Sequence, residues 1–174
     1  MAGLVGYFER TLDEKNRLVL PPELRRRLDS QVFISRWYDN SLGLFDEEEY
    51  STLAEALNGQ GSHNPEVRRA RREIFGGASL VAIDNQGRMT LPERLLDGFL
   101  LHKEKDRDLV LLGDWNKVIL HSGMRYKDME TRDRVELDEA LSSVEQGAMA
   151  QSRKDSLREK IEEDFGEQGR ERPV

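Results

Sequence analysis

The chain of 174 residues contains no cysteine, which excludes disulfide staples and thiolate metal sites. Its three histidines, His63, His102 and His121, lie too far apart for metal-ligand spacing. His121-Ser122 lacks the flanking glycines of a nucleophile elbow. No glycine-rich stretch leads into the Lys-Ser or Lys-Thr of a phosphate loop. No catalytic residue, cofactor, metal or small-molecule substrate is therefore expected. No apolar run reaches the roughly 20 residues that cross a membrane, so no membrane partner is expected. Residues 1–6 carry neither a basic region nor a long apolar stretch. No signal peptide is expected, and a cytoplasmic location is the default. Positive charge is also short: 27 Lys and Arg face 34 Asp and Glu, a net charge of -7. DNA affinity rests largely on cations meeting phosphates, so this sum argues mildly against a nucleic-acid partner.

Distribution matters more than the sum. Arg25-Arg26-Arg27 form one basic knot, and Arg68, Arg69, Arg71 and Arg72 another. Acid gathers in Asp46-Glu47-Glu48-Glu49 and in the C-terminal third. If oligomerisation sets the basic loops on one face, an acidic chain still holds DNA.

The main feature present is an internal repeat. Leu12-Asp13-Glu14-Lys15-Asn16-Arg17-Leu18-Val19-Leu20-Pro21 echoes Ile83-Asp84-Asn85-Gln86-Gly87-Arg88-Met89-Thr90-Leu91-Pro92 at a constant offset of 71, and Leu24 then matches Leu95. After a small insertion, Gln31-Val32-Phe33-Ile34-Ser35 resembles Asp108-Leu109-Val110-Leu111-Leu112. Ser41-Leu42-Gly43-Leu44-Phe45 resembles Lys117-Val118-Ile119-Leu120-His121, with polar turns before each at Asp39-Asn40 and Asp114-Trp115-Asn116. Each half thus predicts strand, turn, strand, short helix, strand, turn, strand, longer helix. The expected organisation is a first unit over residues 1–57, a linking helix over 58–77, a second unit with its helix over 78–146, and a charged tail over 147–174.

Pro22 suits the first turn of a short helix running through Leu28. Asp46 is placed to cap a helix with apolar positions Tyr50, Leu53, Ala54 and Leu57, and Glu47 to Glu49 favour the positive end of its dipole. Asn58-Gly59-Gln60-Gly61-Ser62 predicts a break. Pro65 to Phe75 predicts an arginine-rich helix ended by Gly76-Gly77. A further helix is expected from Met124 to about Val144, followed by a loosely held helix or a disordered tail.

A reversal between strand-like runs needs a residue that tolerates positive φ. Gly87 does so freely, and Asn16, at the matching position, is among the best substitutes. Asp13 and Asp84 can accept hydrogen bonds from loop amides. Arg17 and Arg88 can reach back to those carboxylates or project outward to an anion. The two roles are compatible, because an arginine held through one edge still offers donors. Lys15 and Arg10 add charge beside the first loop. Arg25, Arg26 and Arg27 cannot all face one way at 100° per residue. The second half has Leu96 and Asp97 where the first has Arg25 and Arg26, so equal DNA binding by the halves is not expected.

The two Asp-x-x-x-Arg segments, Asp13 to Arg17 and Asp84 to Arg88, resemble the paired signatures of the MraZ family. So do the run from Asp84 to Pro92 and Leu109-Val110-Leu111-Leu112-Gly113-Asp114-Trp115-Asn116-Lys117. Glu14 to Arg26 is also similar to the N-terminal domain of AbrB. The resemblance covers roughly residues 3 to 130. It implies a mainly β chain with peripheral helices (α+β): a duplicated, swapped-hairpin, AbrB-like β-barrel with pseudo-two-fold symmetry. It implies a ring-like homo-oligomer that regulates transcription, nucleoid-associated, on double-stranded promoter DNA with repeated elements in the cell-division and cell-wall gene cluster. AbrB-like proteins carry DNA-contacting arginines at positions matching Arg10, Arg17, Arg25 and Arg26, and Arg88 carries over from the second signature. With the loop residues Lys15, Asn16 and Gln86, these form the expected DNA-binding set; Asp13, Asp84 and Gly87 are expected to structure the loops. Asn16 departs from the family's usual glycine, and Leu96 stands where an arginine is frequent. Two other functions compete: an AbrB-type antitoxin, against which the duplication argues, and a ring-forming assembly protein that binds no DNA.

Overall fold

The computed structural model describes residues 3–61, 63–100, 105–130, 141–145, 147 and 149. The chain divides into two compact units, Met1–Asp128 and Met129–Val174. In the second, residues 129–130 and 141–145 are helical. Much of the helix predicted to Val144, and the tail beyond residue 149, lie outside the described residues.

The first unit contains the strands of both repeats. Strands β1 (Leu4–Thr11), β2 (Arg17–Val19), β3 (Gln31–Arg36) and β4 (Leu42–Phe45) come from the first half, with the short helix α1 (Pro22–Arg25) between β2 and β3. Helices α2 (Glu47–Gly59) and α3 (Pro65–Arg71) follow. The second half supplies β5 (Ser79–Ala82), β6 (Arg88–Thr90), α4 (Glu93–Leu96), β7 (Asp108–Trp115) and β8 (Lys117–Ser122). Residues 123–128 begin a further helix.

Six strands form one sheet in the order β1-β7-β8-β4-β3-β5, and β2 pairs with β6 in a separate ribbon. The halves are swapped: β1 pairs with β7, and β5 with β3. Reading the order backwards exchanges every strand for its repeat partner, so the sheet has a pseudo-two-fold axis. The registers agree residue by residue, since Arg10 lies opposite Leu109 and its counterpart Val81 lies opposite Val32. The sheet stays open, with β1 and β5 as its edges, so hydrogen bonding does not close the barrel that the resemblance implied.

In the ribbon, Arg17 faces Thr90, Leu18 faces Met89 and Val19 faces Arg88. Leu18 and Met89 are repeat partners, so the pseudo-axis passes between them. Both are buried, as are the matched pairs Leu20 and Leu91, Leu24 and Leu95. Apolar matching between the repeats thus becomes a core built around the axis. The central strand β4 is buried along its whole length, as a strand covered on both faces should be.

The helix starts follow their capping residues. Asp46 accepts from the Glu49 amide at 2.9 Å, and Asn64 from the Glu66 amide at 2.8 Å. Helix α1 stops at Arg25; i to i−3 bonds from Arg27 and Leu28 carry a looser turn on to residue 28. The helix predicted from Pro65 to Phe75 divides into α3 and a π-turn over Arg72–Gly76. Tyr50 of α2 holds that turn. Its ring stacks on Phe33 at 4.2 Å and meets Phe75 edge-on at 5.6 Å, and its hydroxyl donates to the Ile74 carbonyl at 3.0 Å.

Candidate nucleic-acid interface

The two repeated loops adopt one conformation. In the first, Asp13 Oδ1 accepts from the Lys15 and Arg17 amides, both at 2.9 Å. The Arg17 side chain returns, its Nε donating to Asp13 Oδ2 at 2.6 Å. The Asn16 amide donates to the Asp13 carbonyl at 3.0 Å, with Asn16 at φ 57°. In the second, Asp84 Oδ1 accepts from the Gln86 amide at 2.8 Å and the Arg88 amide at 2.9 Å, while Arg88 Nε donates to Asp84 Oδ2 at 2.7 Å. Gly87 takes the Asn16 role at φ 76°. The amide bond from Arg17 is the main cause that holds the Asp13 carboxyl below the usual aspartate range; the Arg88 amide does the same for Asp84. Both carboxylates stay ionised wherever the protein is folded near neutral pH.

Each arginine is held to its carboxylate through Nε rather than through its two terminal nitrogens. Among the described residues these nitrogens have no protein partner, and each arginine side chain keeps about two-fifths of its surface exposed, 40% for Arg17 and 39% for Arg88. The end-on nitrogen pair is the shape that grips a phosphate or the O6 and N7 of guanine.

The ribbon sets the spacing of these groups. Side chains alternate along a strand, so with Leu18 and Met89 inward, Arg17, Val19, Arg88 and Thr90 share the outer face. Val19 is 48% exposed. Antiparallel pairing places the two arginines diagonally across the axis, two residues along and one strand over. Their backbones are then on the order of 8 Å apart. Further ribbon bonds, from the Leu20 amide to the Gly87 carbonyl and from the Leu91 amide to the Asn16 carbonyl, both 2.9 Å, tie each loop to the opposite half. Periodicity within the repeat pointed to the loops; the outward Val19 and Thr90 were not singled out, though simple alternation would have found them.

The remaining expected residues lie on the loops, on β1, and on α1 and the residue after it. Lys15 and Gln86 are exposed at the loop tips, and Asn16 is half-buried. Arg10 is half-buried on β1, donating to the Glu9 carbonyl at 2.7 Å. Arg25 turns to the second loop, where its Nη2 donates to the Asn85 carbonyl at 2.6 Å. Arg26 lines a cleft of about 610 Å³ with Trp115, Asn116 and the acidic start of α2, Asp46, Glu48 and Glu49. The structure therefore brings Arg17, Arg88, Lys15 and Gln86 onto the loops, draws Arg25 toward loop two, and places Arg26 in a cleft shared with acidic residues. Sequence reasoning missed Arg107, which donates from Nη2 to the Asp13 carbonyl. Among the described residues, no group of His, Asp and Glu has the arrangement of a metal site, and no helix is long and apolar enough to cross a membrane.

Comparison with known proteins agrees with this duplication. A family model described as "MraZ protein, putative antitoxin-like" matches twice, over residues 4–73 and 74–144. The chain is 34% identical to a protein of Mesomycoplasma hyopneumoniae named transcriptional regulator MraZ, over 71% of this chain and 82% of that one. It is 29% identical to the protein of that name from Mesoplasma florum, over 82% and 95%. It is 32% identical to that from Pediococcus pentosaceus, over 71% and 84%. Two family matches, each holding one Asp-x-x-x-Arg loop of the ribbon, show that this chain belongs to the MraZ family of transcriptional regulators.

Proposed function

We propose that the β2–β6 ribbon and its two loops bind double-stranded promoter DNA sequence-specifically, and that the chain regulates transcription from the cytoplasm in association with the nucleoid. The observation that carries this reading is the diagonal Arg17/Arg88 pair, exposed on a two-stranded ribbon and related by the pseudo-axis. A major groove about 12 Å wide admits such a ribbon, and a two-fold reader matches the near-symmetry of a duplex site. Lys15 and Gln86 extend the loop contacts, with Asn16 shaping the first loop; Arg10, Arg25 and Arg26 complete the proposed DNA-binding set, Arg25 through its bond to the second loop. Net charge offers little obstacle. Residues 1–128 hold 21 acidic and 19 basic side chains, so most of the negative excess lies in residues 129–174. The contact is non-catalytic. The proposed organisation is two repeats, residues 1–57 and 78–146, joined by 58–77. The open edges β1 and β5 offer pairing surfaces to neighbouring copies, consistent with a ring that presents several ribbons to repeated elements in a promoter of the cell-division and cell-wall genes.

The test is binding to a labelled duplex from upstream of the chain's own gene, against an unrelated duplex. Wild type should prefer the upstream duplex. Arg17→Ala and Arg88→Ala should each weaken binding by about 1–3 kcal/mol per ribbon engaged, with losses compounding in a multivalent assembly. A folded Arg17→Ala/Arg88→Ala double variant that binds like wild type would overturn the proposal. It would favour the second reading, that the 2.6 and 2.7 Å bridges only brace an assembly.

A further inference from the structure

We propose that Arg25 is a positioning residue for the second loop, and that Gly87, with no side chain, leaves open the path its side chain takes. The inference deepens the DNA-binding reading above and rests on it only for its effect on DNA.

The argument begins with two unequal matched positions. Arg25 of α1 corresponds to Leu96 of α4, and Asn16 corresponds to Gly87, both at the offset of 71. Leu96 is 2% exposed and joins the core. Arg25 instead leaves its own half and caps the Asn85 carbonyl. On its way its stem crosses Gly87: a Cβ there would lie 3.0 Å from Arg25 Cδ and 3.6 Å from Arg25 Nε. The two substitutions between the repeats therefore belong together. Where an arginine crosses the loop, the left-handed position has no side chain. Where leucine turns inward, that position carries Asn16, which satisfies the same positive φ. Backbone conformation alone does not demand glycine at residue 87, because asparagine meets the demand in the other loop.

Crossing also has a functional direction. A charge-assisted bond to a loop carbonyl fixes the peptide next to Gln86 and Arg88. It also neutralises part of the negative end of that peptide, which would otherwise face an approaching phosphate. Arg25 then acts on DNA chiefly through the geometry of loop two.

The experiment uses the full-length protein with Arg25→Leu, Gly87→Asn and the double variant, each verified by thermal melting. Amide hydrogen exchange is measured at Gln86, Gly87 and Arg88, and again at Lys15 to Arg17, without DNA. Binding to the upstream duplex is measured across a salt series. Arg25→Leu should speed exchange in loop two by about tenfold and leave loop one unchanged. Gly87→Asn should do the same by displacing the arginine. The double variant should be no worse than either single one, because both remove one contact. Arg25→Leu should weaken DNA binding while keeping the wild-type salt slope. If exchange in loop two is unchanged while the slope falls by about one ion, Arg25 is simply a phosphate contact and the proposal is overturned. Additive losses in the double variant would also overturn it. If loop-two exchange responds as expected but wild type does not select the upstream duplex, the positioning role stands and the DNA-binding reading falls.

Discussion

Loops one and two share their backbone but not their supports. Both use an aspartate that accepts two amides and an arginine, and both use a left-handed residue before that arginine. The outside braces differ. Loop one is held by Arg107, whose counterpart Ser30 offers only a short side chain, while the main-chain bonds at these positions, Leu12 to Arg107 and Ile83 to Ser30, are both 2.8 Å. Loop two is held by Arg25, whose counterpart is the buried Leu96. The difference teaches that duplication preserved what the loop needs from within and allowed each copy a separate anchor in the other half.

The largest expected effect comes from breaking what the loops share. Leu18 lies on the pseudo-axis, wholly buried against Met89. Leu18→Ala should lower stability by about 2–5 kcal/mol and loosen both loops together. Denaturant melts with loop-resolved exchange would check it; loosening confined to one loop would show that the axis is not shared support. A smaller effect should separate the loops. Arg107→Ala removes a side-chain donor from the Asp13 carbonyl and should cost about 1 kcal/mol, read as faster exchange at Lys15 to Arg17 with loop two unaffected. It is the mirror of the Arg25 test.

The smallest effect near neutrality is that of pH. Asp13 and Asp84 have lowered values in the folded chain, so their stabilising contribution is complete above the ordinary aspartate value, about 3.9. It is lost as pH falls through the lowered one. Loop amide shifts should therefore be flat through neutral and mildly acidic pH, and both loops should loosen together only in strong acid. A transition near neutral pH in one loop alone would mean that some other group supports it.

Much of this architecture was legible because the repeat carried it. The offset of 71 predicted which residues superpose, and the shifted second alignment matched β3 to β7 and β4 to β8 around the insertion; the registers of β1 with β7 and β5 with β3 obey both correspondences. Asp46 announced the start of α2 by its chemistry, and Asn16 announced the reversal. The cross-braces were not legible, because they depend on strands exchanging between halves, and a linear reading supports each loop with its own neighbours. A trace was present in the Arg25/Leu96 and Asn16/Gly87 differences, which read singly as departures from the repeat and jointly as one contact. The π-turn after α3 left no pattern either, since its register follows from Tyr50 reaching Ile74 and Phe75.

The exchange of strands also orders events during synthesis. Strand β1 leaves the ribosome well before its partner β7, which begins at Asp108. At about 5–20 residues per second, β1 waits on the order of 5–20 s for a partner. During that interval the first half holds β3 and β4, which pair with each other, and an apolar strand with nothing to pair with. Nascent chains on neighbouring ribosomes carry the same segment. The arrangement that gives the finished ribbon its symmetry thus leaves β1 without its partner until the second half is made, so translation speed between residues 11 and 108 should affect folding yield.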